Sequence, residues 1–233
     1  MTLLPCFHTR SVKGGRPRSG RISGIRPKGC LLALLLLGNW AGTAVALPLS
    51  YTGTFAADDE IKLIPFSAPF AATVTLTSFS FGGGFNGANT NIASGGFAPV
   101  VSLFQSTGTR DLLGTARAGD GSCAGTADSA TGYCWDVQLT AQLAAGDYVA
   151  VVTQDDNLPS GSSLDDGFSQ SGAYFTGLNF LGSQDSFVLA DGTSRDGHWA
   201  LDIDIQATAV PTPGSLSLIA LGLVLSPRIR KAA

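Results

Sequence analysis

Residues 135–157 limit the possible folds of this chain more than any other stretch. Apolar and polar residues alternate over 137–143, which is the period of a β-strand with one buried and one solvated face. A short turn follows, and residues 148–153 are then nearly all apolar, as in a strand that is covered on both faces. The stretch predicts a β-hairpin at the centre of an antiparallel domain.

Short apolar runs between Gly, Asp and Pro turns continue along the chain. The segments with strand character are 51–55, 60–67, 72–81, 99–106, 112–118, 135–143, 147–154, 173–178, 186–190 and 198–207. The apolar parity changes within 72–81, which predicts a β-bulge or bend near Ser78. Two long loops, 82–96 and 155–172, interrupt the strands. The pattern predicts an all-β fold, an antiparallel β-sandwich of jelly-roll type, over residues 47–209.

The N-terminal segment has the order of a secretory signal. Residues 1–29 are basic and contain no acid, residues 30–37 are apolar, and Ala44 and Ala46 are the small residues of a cleavage site. The sequence therefore predicts a signal peptide over 1–46, with Leu47 as the mature N-terminus. A transmembrane anchor is the alternative, but the dense apolar run is too short to cross a bilayer core of about 30 Å.

Charge is distributed unevenly along the chain. All 17 acidic residues lie between Asp58 and Asp204. The basic residues within that interval are Lys62, Arg110, Arg117 and Arg195. The predicted domain therefore carries a net charge of −13, from 17 acidic residues and these four basic ones. A domain this acidic repels phosphate backbones, which excludes nucleic acid as a partner.

Two cysteines remain after removal of the predicted leader, Cys123 and Cys134. They flank a loop of small and polar residues between two predicted strands, and in an oxidising compartment such a pair predicts a disulfide. Two free thiols are the alternative. A zinc site would need more nitrogen or sulfur ligands than the domain contains.

The sequence contains no recognisable catalytic constellation. Gly82, Gly84 and Gly87 fit the glycine spacing of a dinucleotide site, but neither a helix nor a suitably placed acid follows. His198 is the one histidine after the leader, and its position at the head of a strand predicts a structural role. We therefore expect that the protein is not an enzyme.

Several acids lie at predicted strand ends or in Gly-rich loops, where their short carboxylates suit the oxygen coordination of Ca²⁺. The candidate calcium ligands are Asp58, Asp59, Asp120, Asp155 and Asp156. Loops at one end of a sandwich can bring such residues together. The alternative is a soluble acidic surface in which Asp forms turns and no ion is bound.

The C-terminal segment, 210–233, consists of a Pro-x-Pro motif, an apolar run at 215–226 that predicts a short hydrophobic helix, and a basic end. The residues of the motif and the basic end are Val210, Pro211, Thr212, Pro213, Arg228, Arg230 and Lys231. This order resembles the PEP-CTERM sorting signal of exported bacterial proteins, which has Glu at the position of Thr212. The resemblance implies recognition by an exosortase, with the tail held in the inner membrane and its basic end cytoplasmic before processing.

The body looks like a DVQ-type extracellular domain, which is similar to the bacterial pre-peptidase C-terminal β-sandwich. The resemblance rests mainly on Asp136-Val137-Gln138 and on the segments 143–148 and 197–202. It implies a non-catalytic protein at the cell surface or in an exopolysaccharide matrix, handled by the secretion machinery. A calcium-dependent module that binds carbohydrate or another partner is the alternative function.

Overall fold

The computed structural model describes residues 48–120 and 123–208. The predicted signal peptide, the sorting motif and the predicted C-terminal helix lie outside the described residues. The described elements are β1 (Leu49–Thr54), β2 (Lys62–Ala68), β3 (Ala72–Ser78), β4 (Gly84–Phe85), β5 (Asn91–Ile92), β6 (Pro99–Gln105), β7 (Leu112–Ala116), β8 (Gln138–Leu143), β9 (Gly146–Gln154), a 3₁₀ helix (Leu164–Asp166), α1 (Phe175–Phe180) and β10 (His198–Ala207).

Eight of these strands form two four-stranded antiparallel sheets. The first sheet has the order β1-β10-β3-β8, and the second has the order β2-β9-β6-β7. The pairing is nested: β1 pairs with β10, β2 with β9, β3 with β8, and β6 with β7. One long hairpin wound around a barrel axis gives this nesting, which defines a jelly roll. The predicted all-β sandwich is confirmed.

The predicted hairpin of β8 and β9 is wrong, although both strands exist. β8 pairs with β3 at the edge of the first sheet, whereas β9 lies between β2 and β6 in the second sheet. The short connection between them therefore crosses from one sheet to the other. Their different burial is the physical reason, because β8 keeps one wet face and a strand buried on both faces belongs inside a sheet.

β9 is buried on both faces, as its sequence predicts. Its inner face joins the main core between the sheets. On its outer face Val149 and Val151 pack with Phe104 and Leu164, and Phe168 covers this cluster. The long loop 155–172 thus folds back over the outside of the second sheet and buries the part around β6 and β9, whereas Leu63 on β2 stays 45% exposed.

The other long loop covers the outer face of the first sheet over β10, whereas the outward residues of β8 stay exposed. Asp202 and Ala200 have the outward parity expected from the sequence, but both are buried. The small β4–β5 hairpin lies above them, and the Gly87 N–H donates to Asp202 Oδ2 at 2.6 Å. A Cβ on Gly87 would lie only 2.1 Å from Pro48 Cγ, so this close approach requires glycine.

The parity change predicted near Ser78 is a bend. β3 ends at Ser78 with a regular register to β10 and β8, and the chain then turns away.

Two of the predicted strands are wrong. Residues 173–178 overlap the short helix α1, and within 186–190 only Val188 forms an isolated bridge.

All the long connections lie at one end of the sandwich, which we call the loop end. They are residues 55–61, 79–98, 117–137 and 155–197, and each joins strands whose paired ends meet there. The connections at the opposite end are much shorter. The antiparallel nesting places these connections together, because alternate connections must return to the same end.

Candidate functional site

The five candidate calcium ligands all belong to connections of the loop end, but they occupy separate places. Asp58 contacts the start of α1 and Asp59 contacts the chain just before it, whereas Asp120, Asp155 and Asp156 contact Arg117. Within residues 48–120 and 123–208, no group of three His, Cys, Asp or Glu side chains is close enough to hold a metal ion. The calcium site stays a prediction.

Asp58 holds the first turn of α1. Its carboxyl group is fully buried and accepts hydrogen bonds from Phe175 N at 3.1 Å, Thr176 N at 2.9 Å and Thr176 Oγ1 at 2.6 Å. Negative charge at the start of a helix satisfies N–H groups that have no partner within the helix. Asp59 Oδ2 accepts from Gly172 N at 2.7 Å, just before the helix. These two acids fold the chain at 172–176, which explains why this segment is not a strand.

Arg117 joins the other three acids. Its Nη2 lies 3.2 Å from Asp155 Oδ1 and 3.0 Å from Asp156 Oδ1, and its backbone N–H donates to Asp120 Oδ2 at 3.1 Å. Burial raises the pKa of Asp155; the Arg117 charge opposes this rise, and the neighbouring Asp156 adds to it. A guanidinium therefore already occupies the place where a cation would meet these two carboxylates.

The predicted disulfide is present. Cys123 and Cys134 are bonded, with Cα atoms 5.3 Å apart across a separation of 11 positions. The bond closes the connection between β7 and β8, and the Cys123 side of it is exposed. This loop packs on the β3–β4 turn, because a Cβ on Gly82 would lie 1.9 Å from Thr126 O.

Asp128, which lies between the two cysteines, forms a buried ion pair with Arg195. Arg195 Nη1 is 3.3 Å from Asp128 Oδ1, and the two side chains are 4% and 2% exposed. Arg195 also donates to Phe81 O at 2.6 Å and to Gly96 O at 3.0 Å, and its guanidinium lies 3.9 Å from the centre of the Phe81 ring. One side chain thus ties three of the long connections together. The sequence signal for it was a lone Arg among acids, which does not identify its partner.

Asp136, the first residue of the Asp-Val-Gln motif, is also buried and structural. Its carboxyl group accepts from the backbone N–H groups of Ser80, Phe81 and Gly82 at 2.6, 3.1 and 2.7 Å. The Ser78 hydroxyl donates to it at 3.0 Å. Successive N–H groups converge on one anion only where the backbone curls, so this carboxyl group fixes the bend after β3.

His198 contacts protein oxygens through both ring nitrogens. Nδ1 meets Asp196 Oδ1, and Nε2 lies 2.9 Å from Ala93 O. The ring therefore fastens the end of loop 82–96 to the start of β10. This arrangement agrees with the structural role that the sequence predicted.

The aromatic residues of the loops divide into buried and exposed ones. Phe97 is fully buried and stacks between Phe55 and Phe187, at centroid distances of 5.3 and 5.5 Å. Phe85, the last residue of β4, is 67% exposed. Tyr133 is 44% exposed, and its other face stacks on Trp135 at 4.5 Å. The sequence identified neither the burial of Phe97 nor the Tyr133 stack, because both depend on loop packing.

We expect the double substitution Cys123→Ser with Cys134→Ser to lower the free energy of unfolding by about 3 kcal/mol, because the unfolded chain regains the freedom of an open loop. Urea denaturation of the purified oxidised protein checks this. Reduction of the wild type should reproduce the shift, and reduction of the double variant should change nothing further. An unchanged midpoint in both cases would contradict the expectation.

Among the described residues, no helix combines the length and the apolar character that a membrane crossing requires.

Comparison with known proteins finds likeness only among solved structures. No protein-family model matches the chain, and no curated protein matches it. The pre-peptidase C-terminal domain of a collagenase from Bacillus anthracis is 9% identical, with a TM-score of 0.35 over 68% of this chain and 90% of that one. A periplasmic inhibitor of g-type lysozyme from Aeromonas hydrophila is 13% identical, with a TM-score of 0.33 over 69% of this chain and 88% of that one.

Proposed function

We propose that this protein is exported and acts as a non-catalytic structural protein at the cell surface or in an extracellular matrix. One observation carries the proposal: the buried acids of the loop end are bonded to the protein's own loops. Asp58, Asp128 and Asp136 hold α1, Arg195 and the bend after β3, respectively. Their hydrogen-bonding capacity supports the fold, and a rigid acidic sandwich suits a matrix component.

The disulfide supports export, because such bonds persist in oxidising compartments. The signal-peptide pattern of residues 1–46 gives the route. N-terminal sequencing of secreted protein is expected to begin at Leu47. Recovery of extracellular protein that still begins at Met1 would refute this route.

The sorting step rests on the resemblance of residues 210–233 to a PEP-CTERM signal. We expect an exosortase-type system to hold the chain in the inner membrane and to release it by processing near Pro211 and Pro213. Intact-mass measurement of surface protein should find residues 215–233 removed. Thr212→Glu, which restores the residue of the family motif, should raise the processed fraction. Pro211→Ala with Pro213→Ala is the matched loss variant, and equal processing of all three proteins would refute the sorting proposal.

Within the matrix, exopolysaccharide is the partner that the sorting resemblance implies. The exposed rings of Phe85 and Tyr133 offer flat surfaces on which sugar rings could stack. Co-sedimentation of the purified protein with isolated exopolysaccharide tests this partnership. Phe85→Ala with Tyr133→Ala should reduce the bound fraction, and equal binding by the variant would show that these rings do not contribute.

A calcium-dependent binding module is the second candidate, and the convergence of three acidic connections, 55–61, 117–137 and 155–197, at one end of the sandwich favours it. Calorimetric titration with Ca²⁺ tests it, followed by a glycan array with and without the ion. If Asp155 and Asp156 bind calcium, the pair Asp155→Asn with Asp156→Asn should abolish the heat. Arg117→Ala should strengthen binding, because it removes the cation that now pairs with them. No heat from any of these proteins would eliminate this candidate.

A further inference from the structure

The free edge of β8 differs from the other three sheet edges of the sandwich. β2 carries Lys62 and Pro65, which block further strand pairing. The start of β7 is covered by loop 155–172, since Leu112 N donates to Ser162 O at 2.7 Å. β1 contains Gly53, which weakens a strand. β8, with the sequence QLTAQL, carries no charge, proline, glycine or bulge. It is therefore the edge that is best suited to accept another strand.

The backbone groups that β8 presents at this edge follow from the alternation of antiparallel hydrogen bonds. Ser78 N donates to Val137 O at 3.0 Å, whereas Phe79 N donates to Ala200 O in β10. The even-numbered residues of β3 therefore bond to β8, and their partners in β8 are odd-numbered. The backbone N–H and C=O groups of Gln138, Thr140 and Gln142 consequently point away from the sheet. Within the described residues, no hydrogen bond reaches these N–H groups.

The sequence of these three residues is a palindrome: Gln138, Thr140 and Gln142 read the same in both directions. Antiparallel pairing of two identical β8 strands about a two-fold axis at Thr140 places Thr140 opposite Thr140 of the second copy and Gln138 opposite Gln142. Each of these is a hydrogen-bonded pair, so all the outward groups of both strands are satisfied. Leu139 of one copy then lies opposite Ala141 of the second copy, on the core-facing side of the sheet.

We propose that β8 is a self-association edge, at which a second copy of this chain adds its own β8 to form one continuous eight-stranded sheet. A two-fold pairing of this kind is isologous and closes both edges at once. β7 lies beside β8, because a Cβ on Gly114 would be 3.2 Å from Leu139 Cδ1, and its Leu113 is 39% exposed. The apolar surface of Leu113 can therefore be covered in the same contact.

The charge distribution of the first sheet permits this contact despite the acidity of the domain. β3 and β8 contain no charged residue, and the nearest acids of the sheet, Asp202 and Asp204, are on β10. Five strand spacings would separate the two β10 strands, roughly 24 Å at about 4.8 Å each. The Debye length is about 8 Å at physiological salt and about 30 Å at 0.01 M, so repulsion is screened in the first condition and felt in the second. Dimerisation should therefore weaken at low ionic strength.

Sedimentation equilibrium of the full chain, expressed for export and purified, tests the proposal. The average mass should approach twice that of one chain as concentration rises at physiological salt, and the transition should move to higher concentration at low salt. Amide hydrogen exchange tests the proposed register between the two β8 strands. Protection of Gln138, Thr140 and Gln142 should rise with concentration, whereas Leu139 and Ala141, which already bond to β3, should not change.

Thr140→Pro removes an outward N–H and no backbone hydrogen bond, and the one side-chain bond lost is the exposed hydroxyl contact with Thr75 at 3.3 Å, so it should yield a folded monomer. Thr140→Lys is the second variant, for use if the proline variant does not fold. It places two like charges opposite each other in the dimer and should also yield a folded monomer. Thr52→Pro is the matched control, because by the same alternation its N–H points outward on β1, and it should leave the dimer intact. A wild type that stays monomeric at every concentration would overturn the proposal. So would a dimer that persists in Thr140→Lys.

Discussion

Replacing Arg195 with methionine is expected to lower the free energy of unfolding by about 3–5 kcal/mol, because the change leaves a carboxylate buried without its partner. Asp128 is 2% exposed and lies 3.3 Å from the guanidinium, so water cannot replace the lost charge without opening the loops. The backbone carbonyl of Gly96 loses its Arg195 donor at the same time, whereas that of Phe81 keeps the Gly95 N–H at 3.1 Å. Urea denaturation should find a lower midpoint at an unchanged slope.

Arg110→Met is the matched control, because Arg110 and Asp165 form an ion pair whose side chains are 34% and 65% exposed. An exposed pair contributes only about 0–1 kcal/mol. In Arg195→Met with Asp128→Asn, part of the loss should be recovered, since the buried charge is removed as well. If Arg195→Met costs no more than Arg110→Met, the buried pair does not stabilise the loop end.

The same pair gives the protein an acid-sensitive component of stability. Burial alone would raise the pKa of Asp128, but hydrogen bonds from Thr131 and the charge and bonds of Arg195 outweigh it and hold the pKa below its ordinary value. The folded state thus binds the proton more weakly than the unfolded state. The stabilisation that ionised Asp128 contributes is therefore complete above the pKa of the unfolded state, about 3.9. It is lost as pH falls through the pKa of the folded state. Below about pH 4, the wild type should lose stability more steeply than Asp128→Asn.

Asp155 changes the stability with pH in the opposite direction to Asp128. Burial raises its pKa, so its folded state binds the proton more tightly and this contribution is lost as pH rises through the folded value. Asp155→Asn should therefore flatten the pH dependence above about pH 4, in the range where Asp128→Asn has no effect. Urea unfolding curves of the two variants, measured over a range of pH, therefore distinguish the contribution of Asp128 from that of Asp155.

Asp136→Leu is expected to lower the free energy of unfolding by at least about 3 kcal/mol, since each buried donor left without a partner costs about 1–3 kcal/mol. Three backbone N–H groups and the Ser78 hydroxyl converge on this one carboxyl group. Among the described residues, the Ser78 hydroxyl has a second acceptor in Val137 O at 3.5 Å, and no other acceptor reaches the three N–H groups. Thermal unfolding of the variant and of the wild type measures the difference.

Asp136→Asn should cost less than Asp136→Leu. The amide oxygen can still accept from Ser80 N and Phe81 N, but the amide nitrogen then faces the Gly82 N–H, which is also a donor. Asp147→Asn is the control, because Asp147 is exposed and should stay within about 0.5 kcal/mol of the wild type. Equal effects of Asn at positions 136 and 147 would mean that the converging N–H groups find other partners.

The sequence by itself determined the class of fold and the position of most strands. Period-two alternation in β10 and the apolar run of β9 depend only on which faces are buried, and each is readable within one strand. The disulfide was also predictable, because the two cysteines that follow the predicted leader allow one pairing. Two of the long loops, 82–96 and 155–172, were predictable as interruptions between strands, but the gathering of all the long connections at one end was not.

Tertiary structure alone decided how the strands pair and what the acids do. Local periodicity cannot distinguish a β8–β9 hairpin from a crossing between sheets, because both satisfy the same alternation. Asp58 turns residues 173–178 into the start of a helix from more than 100 positions away, where strand propensity favoured a strand. Asp128, Asp136 and Asp202 resemble the exposed acids in sequence, yet each is buried against N–H groups or an arginine supplied by distant loops. A carboxyl group finds such donors only after the chain has folded, so its role is a property of the assembled loops.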